Sequence, residues 1–492
     1  METDLCVNYG ALLKIGRISR RIGLGGTDEF FQNGTVSDGI DAALQAPVKF
    51  KGIPTIASEI ESWPSHKEFD LDERIQRLIK RRLNSDSIDK QKLSDNEREN
   101  AREKNWAKYS VDAIDKYRFF HAGQFADNQV KLRLSYFWLN HFTVGAKETT
   151  PQLISDYWEN VILGGLNGTF ADLLYNAITH PAMLTYLDNI YNIGPNSPKA
   201  KGCGPSAGQA DCIVGLNDNL GRELLELHSV SPSAGYTEQD ITDCAKVLAG
   251  WGNIFDRKGW SETPADFSKP WDKFHSEPGT KQVLGKKIPA GKKGLRVLTD
   301  YLANHEHTKR FISSKILSHF CGVNYAANHQ QELIQLWSST GGDLNKIHKK
   351  VLKMSLQSSE RLFLWPTTWC FQISRLTGAN IAAGFDEIGN DNMRSHVVDA
   401  SWLMSEMGHD FWSNRQPNGF SDLKSDWIST EHLDRRIRYA GLMFDYGKPK
   451  REIDLIIREQ ISNPELKAKL FSTNNERTRF IATLCSPEIL EV

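Results

Sequence analysis

Apolar residues recur at i, i+3, i+4 and i+7 along most of the chain, the period of a helix that buries one face. The runs DAIDKYRFFHAGQF (112–125), DNQVKLRLSYFWLNHF (127–142), SDYWENVILGGL (155–166) and DNLGRELLELHSV (218–230) carry it. So do EQDITDCAKVLAGW (238–251), LRVLTDYLANH (295–305), TKRFISSKILSHF (308–320) and EHLDRRIRYAGLMF (431–444). Alternation of period two, the strand signal, is scarce. It appears in KQVLGKKI (281–288) and in part of WGNIFDR (251–257). The pattern predicts a mainly α protein, a multi-helix globular array with a small β-hairpin or extended pair near 265–290.

Breaks in the pattern divide the chain. Residues 1–65 read as an irregular arm, in which RIGLGGTDEFF forms a glycine turn before a helix capped by Thr27, with Asp28 and Glu29 in its first turn. Residues 66–106 alternate in charge sign with too few apolar positions for a buried helix, which predicts a solvated helix pair or a mobile linker. Residues 107–492 form the main helical domain. Residues 193–216 are a Gly/Pro/Ser loop of a length that is often functional, and 410–427 form another loop. A helix, a His or Ser break and a new start recur in LLYNAITHPAML, DYLANHEHTKRF, LKMSLQSSERLF and TLCSPEILEV. Pro181 and Pro487 suit the first turn of the second helix, and His305 or Thr308 suits a cap. Regular spacing is missing, so this is capping rather than an internal repeat.

Composition narrows the function classes. The 492 residues carry 60 Lys+Arg against 61 Asp+Glu, a net charge of −1. No overall basic charge marks a nucleic-acid binder, and nucleic acid is not expected as a partner. No apolar run approaches the ~18 residues that cross a bilayer, so no membrane partner is expected. No apolar leader with a small-residue cleavage site opens the chain, which predicts a cytoplasmic protein, or an exported one if a processed leader precedes it. Seven cysteines are an odd number and do not form a disulfide framework. Cys244, Cys321, Cys370 and Cys485 sit in apolar helical runs as buried thiols. Cys203 and Cys212 share a loop and are either free thiols or, in an oxidising compartment, a pair that could close it by a disulfide. Phosphate-loop, His-Glu-x-x-His and Gly-x-Ser-x-Gly motifs are absent.

Three polar groupings carry candidate chemistry. At 100° per residue, Asn219, Arg222, Glu223 and Glu226 share one helical stripe, with His228 off its edge. Two carboxylates beside an Arg suit acid–base work or cation binding. The plain alternative is an Arg222–Glu226 pair at i,i+4 with solvated neighbours. The second grouping is His141 among Phe137, Trp138 and Phe142: either a core histidine bonded to a carbonyl or carboxylate, or a metal ligand or base tuned by burial. Lys147 and Glu148 follow it. The third is His275 and Lys281 around a Pro–Gly turn, either a solvent-facing site or a surface turn.

Taken in order, RRIGLGGT, SYFWLNHF, GLNGTFADLLYNAITHPAMLTYLDN, NDNLGRELLELHSVSPSAGYTEQDITDCAKVLAGW, FHSEPGTKQVLGKKI, LANHEHTKRFISSKILSHF, QPNGFSDLKSDWIST and CSPEIL resemble the bacterial family called domain of unknown function 1800. The resemblance covers about residue 15 to the C-terminus. Where that family often has Trp-His-Asn-His-Phe, this chain has Leu139 in place of the first histidine. Its His-Asp reads His275-Ser276, and its Pro-x-Glu reads Pro366-Thr-Thr. The resemblance implies that residues 66–106 and 196–212 are insertions and brings no established reaction. It does imply that the polar groupings meet in one cleft walled by Trp138, Tyr236 and Trp251. The expected activity is acid–base or metal-assisted hydrolysis in a His/Glu/Arg cleft: Glu223 and Glu226 would handle protons or hold a cation, and His141 and His228 would shuttle protons or bind a divalent metal. Arg222, Lys281, Asn219 and His275 would hold the substrate. The competing expectation is a non-catalytic helical scaffold with a protein partner, since the family's genes commonly lie beside a phosphatase-like family.

Overall fold

The computed structural model describes residues 16–25, 29–32, 34–49, 70–109, 111–147, 150–202, 215–252, 270–382, 398–399 and 404–492. The longer helices in the first half are α1 (Val36–Gln45), α2 (Leu71–Asp89), α3 (Asp95–Tyr109), α4 (Asp112–Phe125) and α5 (Gln129–His141). After a π-helical turn at Tyr157–Leu163 come α6 (Phe170–Thr179), α7 (Pro181–Tyr186), α8 (Asn219–Glu226) and α9 (Glu238–Leu248). A hairpin, β1 (Lys281–Val283) and β2 (Lys286–Ile288), leads to α10 (Lys292–Ala303) and α11 (Glu306–Cys321). Then follow α12 (Val323–Thr340), α13 (Leu344–Gln357) and α14 (Pro366–Thr377). A two-residue parallel pair, β3 (Ile381–Ala382) with β4 (Val398–Asp399), precedes α15 (Thr430–Tyr446), α16 (Ile453–Gln460), α17 (Pro464–Phe471) and α18 (Glu476–Leu484). The protein is mainly α with a small β element. Thr27, Asp28, the Cys203–Cys212 loop, Glu148 and the rest of the second strand candidate after Gly252 lie outside the described residues.

Helix α5 runs through the centre. All 13 of its residues are buried, the polar Gln129, Lys131, Arg133, Ser135, Asn140 and His141 included, so burial extends around its whole circumference and beyond its apolar stripe. Asn128 caps it by accepting from the Lys131 amide, and its own amide donates to Ala43 and Ala46 carbonyls at 2.6 and 3.1 Å. Around α5 one continuous apolar cluster extends from Ile22 to Leu490. Leu139 is buried in it.

The hairpin pairs Lys281 with Ile288 and Val283 with Lys286. Leu284 and Gly285 both take positive φ, 47° and 76°, the two-residue turn that matches strand twist. From α9, Asp240 and Asp243 accept the Leu284 and Gln282 amides. Histidine caps recur: His180 and His305 each accept an amide two residues on through Nδ1.

The charged stretch is a helix pair, α2 and α3, tied by Arg102 to Asp89 and by the Asn105 amide to the Arg81 carbonyl. The expectation that it cannot bury a face fails at its start. Arg74, Ile75, Leu78 and Ile79 of α2 are buried, a narrow stripe at helical spacing that overall charge conceals. Arg74 grips Asp115 of α4 with both terminal nitrogens, at 2.5 and 3.0 Å.

Candidate functional site

The site is built where the C-terminus of α5 meets the end of α8. Helix α8 stops at Glu226, and the chain then turns inward: Ser229 donates to the Leu224 carbonyl, and Ser231, at φ 62°, closes back on Leu225. This drives His228 into the core beside His141, with their ring centroids 6.0 Å apart. The rings are clasped reciprocally. His141 Nε2 lies 3.3 Å from the His228 carbonyl, and His228 Nδ1 lies 3.2 Å from the His141 carbonyl. A carbonyl only accepts, so each of these nitrogens carries the proton. The remaining lone pairs are therefore on His141 Nδ1 and His228 Nε2. Among the described residues His228 Nε2 is buried with no hydrogen-bond partner. Burial, with help from Lys315, holds His141 well below the usual imidazole range and pushes His228 down to about 3. Both rings are neutral at physiological pH.

Lys315 of α11 faces this pair. Its Nζ donates to His141 Nδ1 at 3.4 Å and stands 6.0 Å from the Phe311 ring centre. Burial lowers its basicity, opposed by Asp422. Asp422 is itself bonded to His319 Nδ1 at 2.6 Å. Phe311, Lys315 and His319 recur every four residues, so one helical stripe delivers all three. The sequence pattern of FISSKILSHF contained that signal, although it reads there only as an amphipathic helix.

The carboxylates of α8 form a second, more exposed face. Glu223 and Glu226 are half-buried at i,i+3. Burial first, then the charge of Glu226, raises Glu223 to about 6, with Arg222 opposing. Among the described residues no hydrogen bond or ion pair engages the Glu223 carboxylate. The Tyr236 hydroxyl donates to Glu226 at 3.5 Å. Tyr186, whose hydroxyl donates to the Asn414 carbonyl, feels the charge of Glu223. Arg222 does not pair with Glu226. It reaches Asp218 at 3.2 Å and Glu238, on α9, at 3.0 Å. Asn219 is exposed and points its amide at Asp188, 3.4 Å away, which also holds Lys147 at 2.7 Å.

The remaining sequence-predicted residues stand in other contacts. Lys281 is buried and donates to the Glu277 and Gly279 carbonyls, closing its own loop rather than facing solvent. His275 is bonded to Asp272 through Nδ1. Trp138 is fully buried, donates Nε1 to His348 Nε2 at 2.8 Å and packs edge-on against His141. Trp251 is buried against Tyr175 and bridges to Trp271. Thus the structure joins His141, His228 and Trp138 in one group and Glu223, Glu226, Arg222 and Tyr236 in another. Lys281, His275 and Trp251 have their contacts elsewhere.

Chemically, the first group offers neutral imidazoles and a desolvated amine, and the second a carboxylate poised to carry a proton near neutrality. Among the described residues no three His, Cys, Asp or Glu side chains gather in a way that could hold a metal ion, and no helix is long and apolar enough to cross a membrane. A family model described as "Protein of unknown function (DUF1800)" matches residues 17–487. No curated protein and no solved structure matches the chain.

Proposed function

Given that the chain belongs to the DUF1800 family, we propose that it is an enzyme that carries out acid–base hydrolysis on the Glu223–Glu226 face. The observation that carries this is the state of Glu223. It is half-buried, has no hydrogen-bond partner among the described residues and is raised to about 6. Glu223 is only half-buried, and no arginine or backbone amide among the described residues bonds its carboxylate to hold it ionised. A carboxylate left without a partner and poised near neutral pH has the properties of a general acid/base. Glu226 opposes its ionisation, Tyr236 supplies a hydroxyl beside the pair, and Arg222 and Asn219 flank it on the same helix. Glu223 would take a proton from the attacking water and return it to the leaving group.

The test is turnover on a panel of ester, phosphoester, glycosidic and amide substrates, with Glu223→Gln beside the wild type. Any activity found is expected to fall by ~10²–10⁴-fold, the usual contribution of a positioned acid/base, with the circular-dichroism spectrum unchanged. A folded Glu223→Gln protein with wild-type turnover would end the proposal.

A scaffold or partner-binding role is the second reading, and one feature favours it. The His141–His228 clasp bonds ring to backbone in both directions, a fastening that fixes the end of α8 against α5 without any reaction. Absence of turnover across the panel by the wild-type protein would support that role.

A further inference from the structure

Lys315 stands apart from the carboxylate face and is unlike the other lysines near the candidate site. Lys147 is paired with Asp188, and Lys281 is spent on two carbonyls. Among the described residues Lys315 has no ion pair. Its one hydrogen bond runs to a neutral imidazole, His141 Nδ1, at 3.4 Å. The groups that face it are His141 of α5, His228 beyond α8, and Asp422 and His319, the last two bonded to each other. Aromatic rings enclose the pair it faces: Phe311 and Phe170 each lie 6.4 Å from the His141 ring, and Phe142 lies 5.4 Å from His228. Burial disfavours the ammonium and its one hydrogen-bond partner is an uncharged ring, while the Asp422 carboxylate that opposes this is itself bonded to His319. A buried lone pair on His228 Nε2 remains open beside it.

We propose that Lys315 is a nucleophilic amine that forms an imine with a small aldehyde or ketone against the His141–His228 pair. Its neutral Nζ attacks the carbonyl carbon. A C–N bond forms as the carbonyl π pair moves to oxygen. One Nζ proton passes through His141 Nδ1 to that oxygen, giving a carbinolamine. The second Nζ proton leaves with the hydroxyl as water while the nitrogen lone pair closes the C=N bond. Amine and carbonyl yield imine and water, with no oxidant consumed. The aromatic enclosure favours a small, weakly charged carbonyl compound over a bulky or multiply anionic one.

The test is reductive labelling of the full-length protein with limiting acetaldehyde and cyanoborohydride at neutral pH, read by peptide mapping. The reductant traps the imine as an ethyl-lysine. Lys315 is expected to label faster than every surface lysine, since an amine whose titration lies below theirs holds a larger neutral fraction at neutral pH. Lys315→Arg is expected to abolish the fast site, and His141→Phe to slow it. If neither variant folds, the ranking of lysines in the wild type decides alone. Glu223→Gln is expected to label as the wild type does, so this inference and the hydrolytic proposal fail separately. Labelling of Lys315 no faster than that of surface lysines, or a fast site that survives Lys315→Arg, would overturn it.

Discussion

At the residue scale, the molecule settles its buried imidazoles by tautomer. The Trp138 indole donates to His348 Nε2, so His348 carries its proton on Nδ1 and is neutral, with its pKa pushed down to about 3 by burial. Trp138→Phe keeps most of the packing and leaves that nitrogen without its donor. The expected loss is about 1–3 kcal/mol of stability, the cost of stranding a buried acceptor, read from urea denaturation. Replacing both partners, as in Trp138→Phe with His348→Leu, is expected to recover part of it, because the orphaned group is then gone. The sequence showed that His141 among aromatics needs a partner, and that Glu223 and Glu226 share a stripe. It could not show the partner of Arg222, because Glu238 lies across a turn and is brought back only by the packing of α9 on α8. Lys315 was hidden for a related reason. A lysine on an amphipathic helix reads as a solvated charge until a second element closes over it.

At the element scale, periodicity located α4, α5, α9, α10, α11 and α15, because each buries apolar residues at helical spacing. It overran the end of α8: the run to Val230 continues the pattern, whereas the helix stops at Glu226 so that His228 can turn inward. It also underrated α2. There one ion pair does what a run of leucines does elsewhere. Arg74 and Asp115 are 2% and 0% exposed, and Arg74 also donates to the Gln152 carbonyl. Asp115→Ala leaves the guanidinium buried without its carboxylate. Destabilisation of about 3–5 kcal/mol is expected, as for breaking other buried pairs from one side, with protease sensitivity rising first in the α2–α3 pair. Arg102→Ala, which removes a largely exposed contact to Asp89, is expected to change stability by less than about 1 kcal/mol. Equal effects of the two substitutions would show that α2 is held by its surface and not by its buried start.

At the scale of the whole molecule, the buried histidines make stability depend on acid in a direction that follows from their environment. Burial lowers His228 and His348 to about 3 and His121 to about 4, and holds His141 and His409 well below the usual range. In the unfolded chain each imidazole titrates near 6.5. Above that pH neither state binds the proton, and the full stability is present. Below it the unfolded chain takes up protons that the folded core refuses, so stability falls with pH down to the folded values. By pH 5 each ring lowered to about 3 is expected to cost about 2 kcal/mol, and several such rings act together. The protein should therefore unfold cooperatively in mild acid, well above the pH at which exposed carboxylates titrate. The measurement is denaturant stability at half-unit steps from pH 8 to pH 4. The double replacement Trp138→Phe/His348→Leu should flatten the slope by about 1.4 kcal/mol per pH unit, the contribution of one proton. A slope unchanged when His348 is removed would mean that His348 is already protonated in the fold, and one that appears only below pH 4.5 would mean the same of all these rings. In that case the neutral clasp between His141 and His228, and the weakly basic amine of Lys315 beside it, would lose their physical basis.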